Sequence, residues 1–352
     1  MRQLSACRPA RWRPALAPAL ALAAALVAGC SSSPPQPAAP PVAAPAPVEP
    51  GFETPRAPNV VPPDVVAHVR KMGRVSETSI ASVYQARQQI DVPGVVEFAH
   101  LAYGSDPRQF VNVFAPRVLP ATPVPVVVFM HGGGFIGGAV HTPGSFQYDH
   151  IGKFFARNGY VVVNVEYRLA PLHRWPEAGQ DLAAAVAWTR RNAASYGGDP
   201  SKIFLMGHSA GATHVAHYTF DRRIQVNGGD DGVIGSILLS PHVSMEELKR
   251  FSVYYGPDFR PDMAPLNHVN ERRMPVFLGV AQWDPQDFQV DVARLYTALC
   301  QRDNRCPAIK TAQQHSHLSS ILHINTADDS YGSDLLTFMR DVLSTPPGQN
   351  GG

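Results

Sequence analysis

The run IFLMGHSAGA, residues 203–212, carries the information that decides how this chain folds. Ile203, Phe204, Leu205 and Met206 read as a short buried strand, and a helical pattern begins at Ala210 and continues to about residue 222. Between them Gly207, His208, Ser209, Ala210 and Gly211 spell GxSxG. A strand, a one-residue turn and a helix are the context this motif needs to act as a nucleophile elbow. Glycines on both flanks let the backbone turn sharply without a clashing Cβ. The turn lifts the Ser209 hydroxyl to the carboxyl edge of a sheet and aims a helix N-terminus at developing negative charge.

Upstream, His131, Gly132, Gly133 and Gly134 follow a second apolar run, 126–130. Such HGGG segments supply an oxyanion hole in lipases and esterases. Without side chains, the Gly133 and Gly134 amides can approach a tetrahedral oxygen together with the Ala210 amide, each donor being worth about 3 to 4 kcal/mol in the transition state. Strands are expected over 95–103, 110–116, 124–130, 160–167, 203–206, 233–240, 276–281 and 308–311. Helices are expected over 146–157, 176–196, 210–222, 287–300 and 332–343. Two hairpin-like strands followed by repeated strand-helix units predict an α/β fold: a mostly parallel central sheet with helices on both faces. The stretch 64–94 holds two short helical patterns expected to form a cap, and the irregular segment 241–274 is the candidate lid.

Taken in order, HGGGF (131–135), YRLAP (167–171), WPEAGQDLAAAVAW (175–188), YGGDP (196–200) and GHSAGA (207–212) resemble the hormone-sensitive-lipase-like branch of the α/β-hydrolases and its bacterial exported carboxylesterases. The resemblance spans roughly 95–340. It implies the α/β-hydrolase fold, acyl-transfer chemistry and structural rather than chemical roles for Tyr167, Arg168 and Asp181. Serine is a poor nucleophile near neutral pH, so a histidine base and an orienting carboxylate are required, in the chain order Ser, acid, His. Asp284 follows the apolar run 276–283 in an AQWDP setting that resembles the family's acid position; Asp287 is the alternative. For the base, His317 stands in an HLS context resembling the H-x-S pattern of related esterases. His315 alternates with it and should point to the opposite side, and His323 follows nearby. The HxH pair lacks a further ligand at metal spacing, so no metal site and no cofactor are expected.

The N-terminus reads differently. Arg2, Arg8, Arg11 and Arg13 precede an apolar stretch, 15–27, and residues 26–30, LVAGC, resemble a bacterial lipobox. That resemblance implies a signal peptide over 1–29, cleavage before Cys30 and a diacyl anchor on its sulfur. It places the protein in the bacterial cell envelope facing the periplasm, with Ser31 suggesting the outer membrane. Residues 30–63 carry the lipidated cysteine and a Pro/Ala-rich linker. At roughly 3.1 Å per residue the linker could extend on the order of 100 Å. The hydrolase domain is expected over 64–346, with a tail over 347–352.

The formal charge is +2, but the signal holds four arginines and no acid, so the remainder is near −2. A near-neutral surface without a basic aromatic cluster excludes nucleic acid as a partner. Of the four cysteines, Cys300 and Cys306 remain for the folded domain and are expected to pair in an oxidising compartment. The expected activity is hydrolysis of small to medium esters through an acyl-enzyme on Ser209. An amidase or arylformamidase using the same triad is the nearest rival, and a catalytically silent envelope binding protein is the rival from outside enzymology. The sequence is silent on oligomeric state.

Overall fold

The computed structural model describes residues 61–72 and 79–345; the signal, Cys30, almost all of the linker and the 347–352 tail lie outside the described residues. Eight strands run in chain order: β1 Val95–Ala102, β2 Phe110–Pro116, β3 Val124–Met130, β4 Val161–Val165, β5 Gly198–His208, β6 Val233–Leu239, β7 Val276–Trp283 and β8 Ala308–Ser316. They form one sheet in the order β1-β2-β4-β3-β5-β6-β7-β8. β1, β2 and β4 are joined antiparallel, and every pairing from β4 across to β8 is parallel.

Parallel strands bury both faces, which is why the central strands are apolar throughout rather than alternating. On β3, Val126, Val128 and Met130 enter one core, whereas Val127 and Phe129 enter the other. On β5, Ile203 and Leu205 face the first core and Phe204 and Met206 the second. Helices α4 (Glu177–Asn192), α5 (Ala210–Phe220) and α8 (Gln286–Asp303) close the first face through Leu182, Ala185, Val215, Val292 and Leu295. The second face is closed by α3 (Asp149–Arg157) and α10 (Gly332–Ser344) through Ile151, Phe155, Leu335 and Met339.

The two N-terminal helices, α1 (Pro63–Met72) and α2 (Ser79–Gln85), add Val65, Val69, Ile80 and Tyr84 to this second core. They are also tied to the segment after β8: Gln88 Nε2 donates to the Leu322 and Ile324 carbonyls at 2.8 and 3.2 Å, and Gln89 and Asn325 bond reciprocally. Segment 241–274 forms two short helices, α6 (Met245–Leu248) and α7 (Ser252–Tyr255), followed by two 3-10 turns. Its Val243, Leu248, Tyr254, Met263 and Val269 are buried in the first core, so it is packed as part of the domain body.

The strongest departure from the expected element bounds is β8, which continues five residues past the expected end at 311 and delivers His315 and Ser316 to the sheet edge. Its polar sequence, Gln313 to His315, conceals a strand whose hydrogen bonds come from β7. Cys300 and Cys306 are joined by a disulfide between the end of α8 and the start of β8. No helix among the described residues is long and apolar enough to cross a membrane.

Candidate active site

Ser209 stands between the end of β5 and the first residue of α5, with φ 57° and ψ −127°, a conformation L-residues rarely adopt. The turn is locked by contacts on both sides. A Cβ on Gly207 would meet the Gly211 backbone at 2.5 Å, and one on Gly211 would meet the Met130 carbonyl at 2.2 Å. The Ser209 amide donates to the Leu239 carbonyl at 2.9 Å, so the elbow is also held by the end of β6.

Beside the elbow runs the loop after β3. Gly132 is packed so tightly that an added Cβ would lie 3.1 Å from the Ser209 Cβ. Gly133, at φ 141°, and Gly134, at φ 61°, are solvent-exposed, and neither amide has a hydrogen-bond acceptor among the described residues. Their neighbour Ala210 opens α5, where a first-turn amide has no intrahelical partner. The loop is braced from below. The Tyr167 hydroxyl donates to the His131 carbonyl at 2.8 Å, Ala170 N donates to the Phe135 carbonyl, and the Val140 amide donates to Glu166. Arg168 in turn grips the buried Asp181 through Nε and Nη2. Tyr167, Arg168 and Asp181 thus hold loops, and among the described residues none of them is hydrogen-bonded to the Ser209 hydroxyl.

Asp284 and His317 are brought together: His317 Nδ1 donates to Asp284 Oδ1 at 2.6 Å. The other carboxylate oxygen accepts from Ser240 Oγ at 2.7 Å and from the Ala281 amide at 2.6 Å. Burial alone would raise the Asp284 pKa, but the bond and charge of His317 and the two further donors outweigh it and hold the carboxyl below its usual range. With the proton on Nδ1, His317 presents Nε2 as a lone pair without a partner among the described residues. The Ser209 hydroxyl likewise has no partner there; bonds between a nucleophile and its base commonly tighten only around substrate.

The segment bearing His317 is tied directly to the elbow. His208, next to Ser209, donates from Nε2 to the His317 carbonyl at 3.0 Å, and its ring lies 4.7 Å from that of His317. The Ser320 hydroxyl donates to the same carbonyl at 2.7 Å. Burial pushes His208 down to about 3, so it acts as a neutral donor. On the other side Phe288 packs 4.3 Å from the His317 ring.

The remaining candidates lie elsewhere. Asp287 sits in the first turn of α8 and pairs with Arg250 at 3.3 Å. His315 is buried at the end of β8, bonded to Ser319 and Ser330 at 3.0 Å each and 3.3 Å from Asp328, with no bond to Asp284. His323 accepts from the Tyr331 amide. His214 and His217 are buried within α5 and kept neutral by that burial. Among the described residues Asp221, His268 and Glu271 converge closely enough to hold a metal ion. Arg223 already donates to both Asp221 oxygens there, at 2.8 and 2.6 Å, which leaves the cluster poorly suited to a second cation.

The sequence does not single out Ser240 or Ser320, which bond to other residues of the site and belong to no motif, and it reads His208, inside the GxSxG motif, as an ordinary structural histidine. His208 does carry a positional signal, being the residue before Ser209. Ser240, the residue directly after β6, carries none.

The esterase LipC of Mycobacterium tuberculosis is 38% identical over 109 residues, covering 31% of this chain and 26% of that protein. The versiconal hemiacetal acetate esterase of Dothistroma septosporum is 31% identical over 170 residues, covering 47% and 49%. The chain thus spans about half or less of the length of these relatives. The solved structure of esterase B from Lactobacillus rhamnosis superposes with a TM-score of 0.63 over 80% of this chain and 96% of that one, at 17% identity, a likeness of fold. Residues 127–302, half of the chain, match the family described as alpha/beta hydrolase fold, and with the eight-stranded sheet and its serine elbow the chain belongs to that family.

Proposed function

We propose that this protein is a serine carboxylesterase in which Ser209, His317 and Asp284 form the triad and the amides of Gly133, Gly134 and Ala210 form the oxyanion hole. The observation that carries the reading is the 2.6 Å bond from His317 Nδ1 to a buried carboxylate, on a segment fastened to the residue beside Ser209. Such a bond fixes the tautomer in which Nε2 can take a proton.

In the proposed cycle Nε2 accepts the Ser209 proton as Oγ attacks the ester carbonyl, and the carbonyl oxygen becomes an anion between the three amides. Asp284 stabilises the imidazolium. His317 then returns the proton to the departing alcohol and the carbonyl reforms as an acyl-enzyme. A water molecule repeats the sequence with the acid as leaving product, and Ser209 regains its proton. Every proton is carried by His317.

The test is covalent labelling by a fluorophosphonate together with p-nitrophenyl acetate and butyrate turnover, comparing the native chain with Ser209→Ala. Labelling and turnover that both vanish on substitution support the reading. N-formylkynurenine or anilide turnover far above ester turnover would reassign the same triad to an amidase or arylformamidase. A folded chain that takes no label would point to a binding protein on this fold. The same proposal places the enzyme on a lipid anchor at Cys30 in the bacterial envelope, facing the periplasm, on the strength of the lipobox-like LVAGC run and the proline-rich linker. Cys30→Ala should release the protein from membranes; undiminished retention would remove the anchor.

A further inference from the structure

We infer that Ser240 is a fourth, positioning member of the catalytic group, setting through Asp284 both the orientation and the basicity of His317. The inference rests on the triad reading above. Ser240 follows the last residue of β6 and continues its ladder, its amide donating to the Gly279 carbonyl at 2.8 Å. At φ 50° it then leaves the extended conformation. The side chain is completely buried and its hydroxyl donates to Asp284 Oδ2 at 2.7 Å.

That oxygen is the one His317 does not use. The Ala281 amide also reaches it, so two donors hold one end of the carboxylate while the other faces the imidazole. Donors at Oδ2 draw negative charge away from Oδ1 and limit how strongly Asp284 favours the protonated imidazole. They also stop the carboxylate from rotating about its Cβ–Cγ bond. Without the hydroxyl, charge concentrates at Oδ1, His317 holds its proton to higher pH, and the carboxylate is fastened by a single amide.

The other titratable groups around this dyad are few. From β5 comes His208, neutral through burial. Tyr331, which precedes α10, is buried, feels the Asp284 charge and is kept protonated. Beyond Phe288 lies His242, its ring 3.9 Å from that of Phe288, facing Asp291 at 3.4 Å and Asp287 at 3.9 Å. On the outer side Arg70 stacks 5.7 Å from the centre of the Trp283 ring. None of these touches Asp284 Oδ2 by a hydrogen bond, so the hydroxyl has no substitute.

The experiment uses the full chain with Ser240→Ala and Ser240→Gly. Alanine keeps the backbone demand at φ 50° and glycine relieves it, so an effect shared by both belongs to the lost hydroxyl. His317 is titrated by NMR of histidine-labelled protein, and kcat/KM for p-nitrophenyl acetate is followed across pH. We expect the His317 titration and the rising limb of kcat/KM to move up together by about half a pH unit in both variants. Below that limb kcat/KM should fall about tenfold, mostly in kcat. An unmoved His317 titration with kcat/KM within twofold of native would overturn the inference. So would a loss of kcat/KM that only tracks a lower Tm while the titration stays in place. Should the native chain hydrolyse no ester, the functional reading fails, and the NMR titration still decides whether Ser240 tunes the Asp284–His317 pair.

Discussion

Replacing Asp284 with asparagine tests the site most sharply, because the surrounding donors dictate how the amide must sit. Oδ2 accepts from the Ala281 amide at 2.6 Å and from Ser240 Oγ at 2.7 Å. A hydroxyl can reverse its bond, but a backbone N–H can only donate. The amide oxygen must therefore occupy the Oδ2 position, which puts the NH2 where Oδ1 now meets His317 Nδ1 at 2.6 Å. Facing a donor, Nδ1 must offer its lone pair, and the imidazole proton moves to Nε2, the nitrogen that has to accept from Ser209. The enzyme would keep its geometry and hold the wrong tautomer. In serine triads that error costs about 10⁴-fold in kcat, or about 5.5 kcal/mol at 1.36 kcal/mol per decade. Steady-state turnover of p-nitrophenyl acetate measures the loss, and an unchanged thermal unfolding curve to within a few degrees shows that the fold survives. Turnover within tenfold of native in Asp284→Asn, with a collapse in Asp287→Asn, would refute the assignment and move the acid into the first turn of α8.

Other substitutions separate chemistry from scaffold. His317→Ala should lower kcat by several orders of magnitude with little change in Tm. His315→Ala should do the reverse: it strips a buried hydrogen-bond partner from Ser319 and Ser330, a change that costs about 1 to 3 kcal/mol in stability, while kcat per labelled site stays near native. In the oxyanion loop, Gly133→Ala places a Cβ 1.9 Å from the Gly137 carbonyl and should abolish turnover. Gly134→Ala meets nothing within 4 Å and should suffer only the cost of its φ, about 1 kcal/mol of stability, with turnover near native. Comparable losses in the two variants would contradict the packing around Gly133. Stability should also fall below pH 6.5. Burial holds His150 to about 4 and His208, His217 and His323 to about 3, whereas the unfolded chain binds protons on all of them near 6.5. Their contribution is complete above 6.5 and is lost as pH falls toward the folded values, up to about 1.4 kcal/mol per pH unit for each. A Tm that stays level from pH 8 to pH 5 would show these imidazoles to be solvated.

The legible parts of the fold and site are those where one local rule settles the structure. Paired glycines around Ser209 and the apolar run 203–206 specify strand, turn and helix within ten residues, and the central strands announce themselves by being apolar on both faces. Elements defined by a distant partner were harder to read. The end of β8 carries Gln313, Gln314 and His315, polar residues held at the sheet edge although Gln314 turns to φ 63°, because β7 pairs on both sides of the irregularity and the 323–331 segment supplies buried partners for His315. The segment after Ser240 looks irregular because its helices are each four residues long, too short for a periodic signal, although its apolar side chains complete the first core. The bonds of Ser240 and His208 were hidden for the same reason: they span 44 and 109 positions in the chain.

Those long-range bonds explain how the strained Ser209 and His317, on a separate loop, can share one site. Holding Ser209 at φ 57° costs on the order of 1 to 3 kcal/mol, and the cost persists only if the surroundings over-determine the turn. Here β3, β5 and β6 all press on it, through the Met130 carbonyl against Gly211, the Gly207–Gly211 contact and the Leu239 carbonyl on the Ser209 amide. His317 lies just past the end of β8 and has no ladder of its own. It is held by its side chain through Asp284, by its carbonyl through His208 and Ser320, and more remotely by Gln88 and Gln89, which grip 322–325. The His208 bond matters most for registry, since it joins the His317 peptide to the residue adjoining Ser209. Any displacement of the histidine segment away from Ser209 must break a buried bond whose donor, neutral and without another acceptor for its Nε2 proton among the described residues, would be left unsatisfied at a cost of about 1 to 3 kcal/mol. His208→Phe, which keeps the ring and removes the donor, should therefore lower kcat more than it raises KM. A rise in KM alone would mean that the elbow and the base are held in register by packing instead.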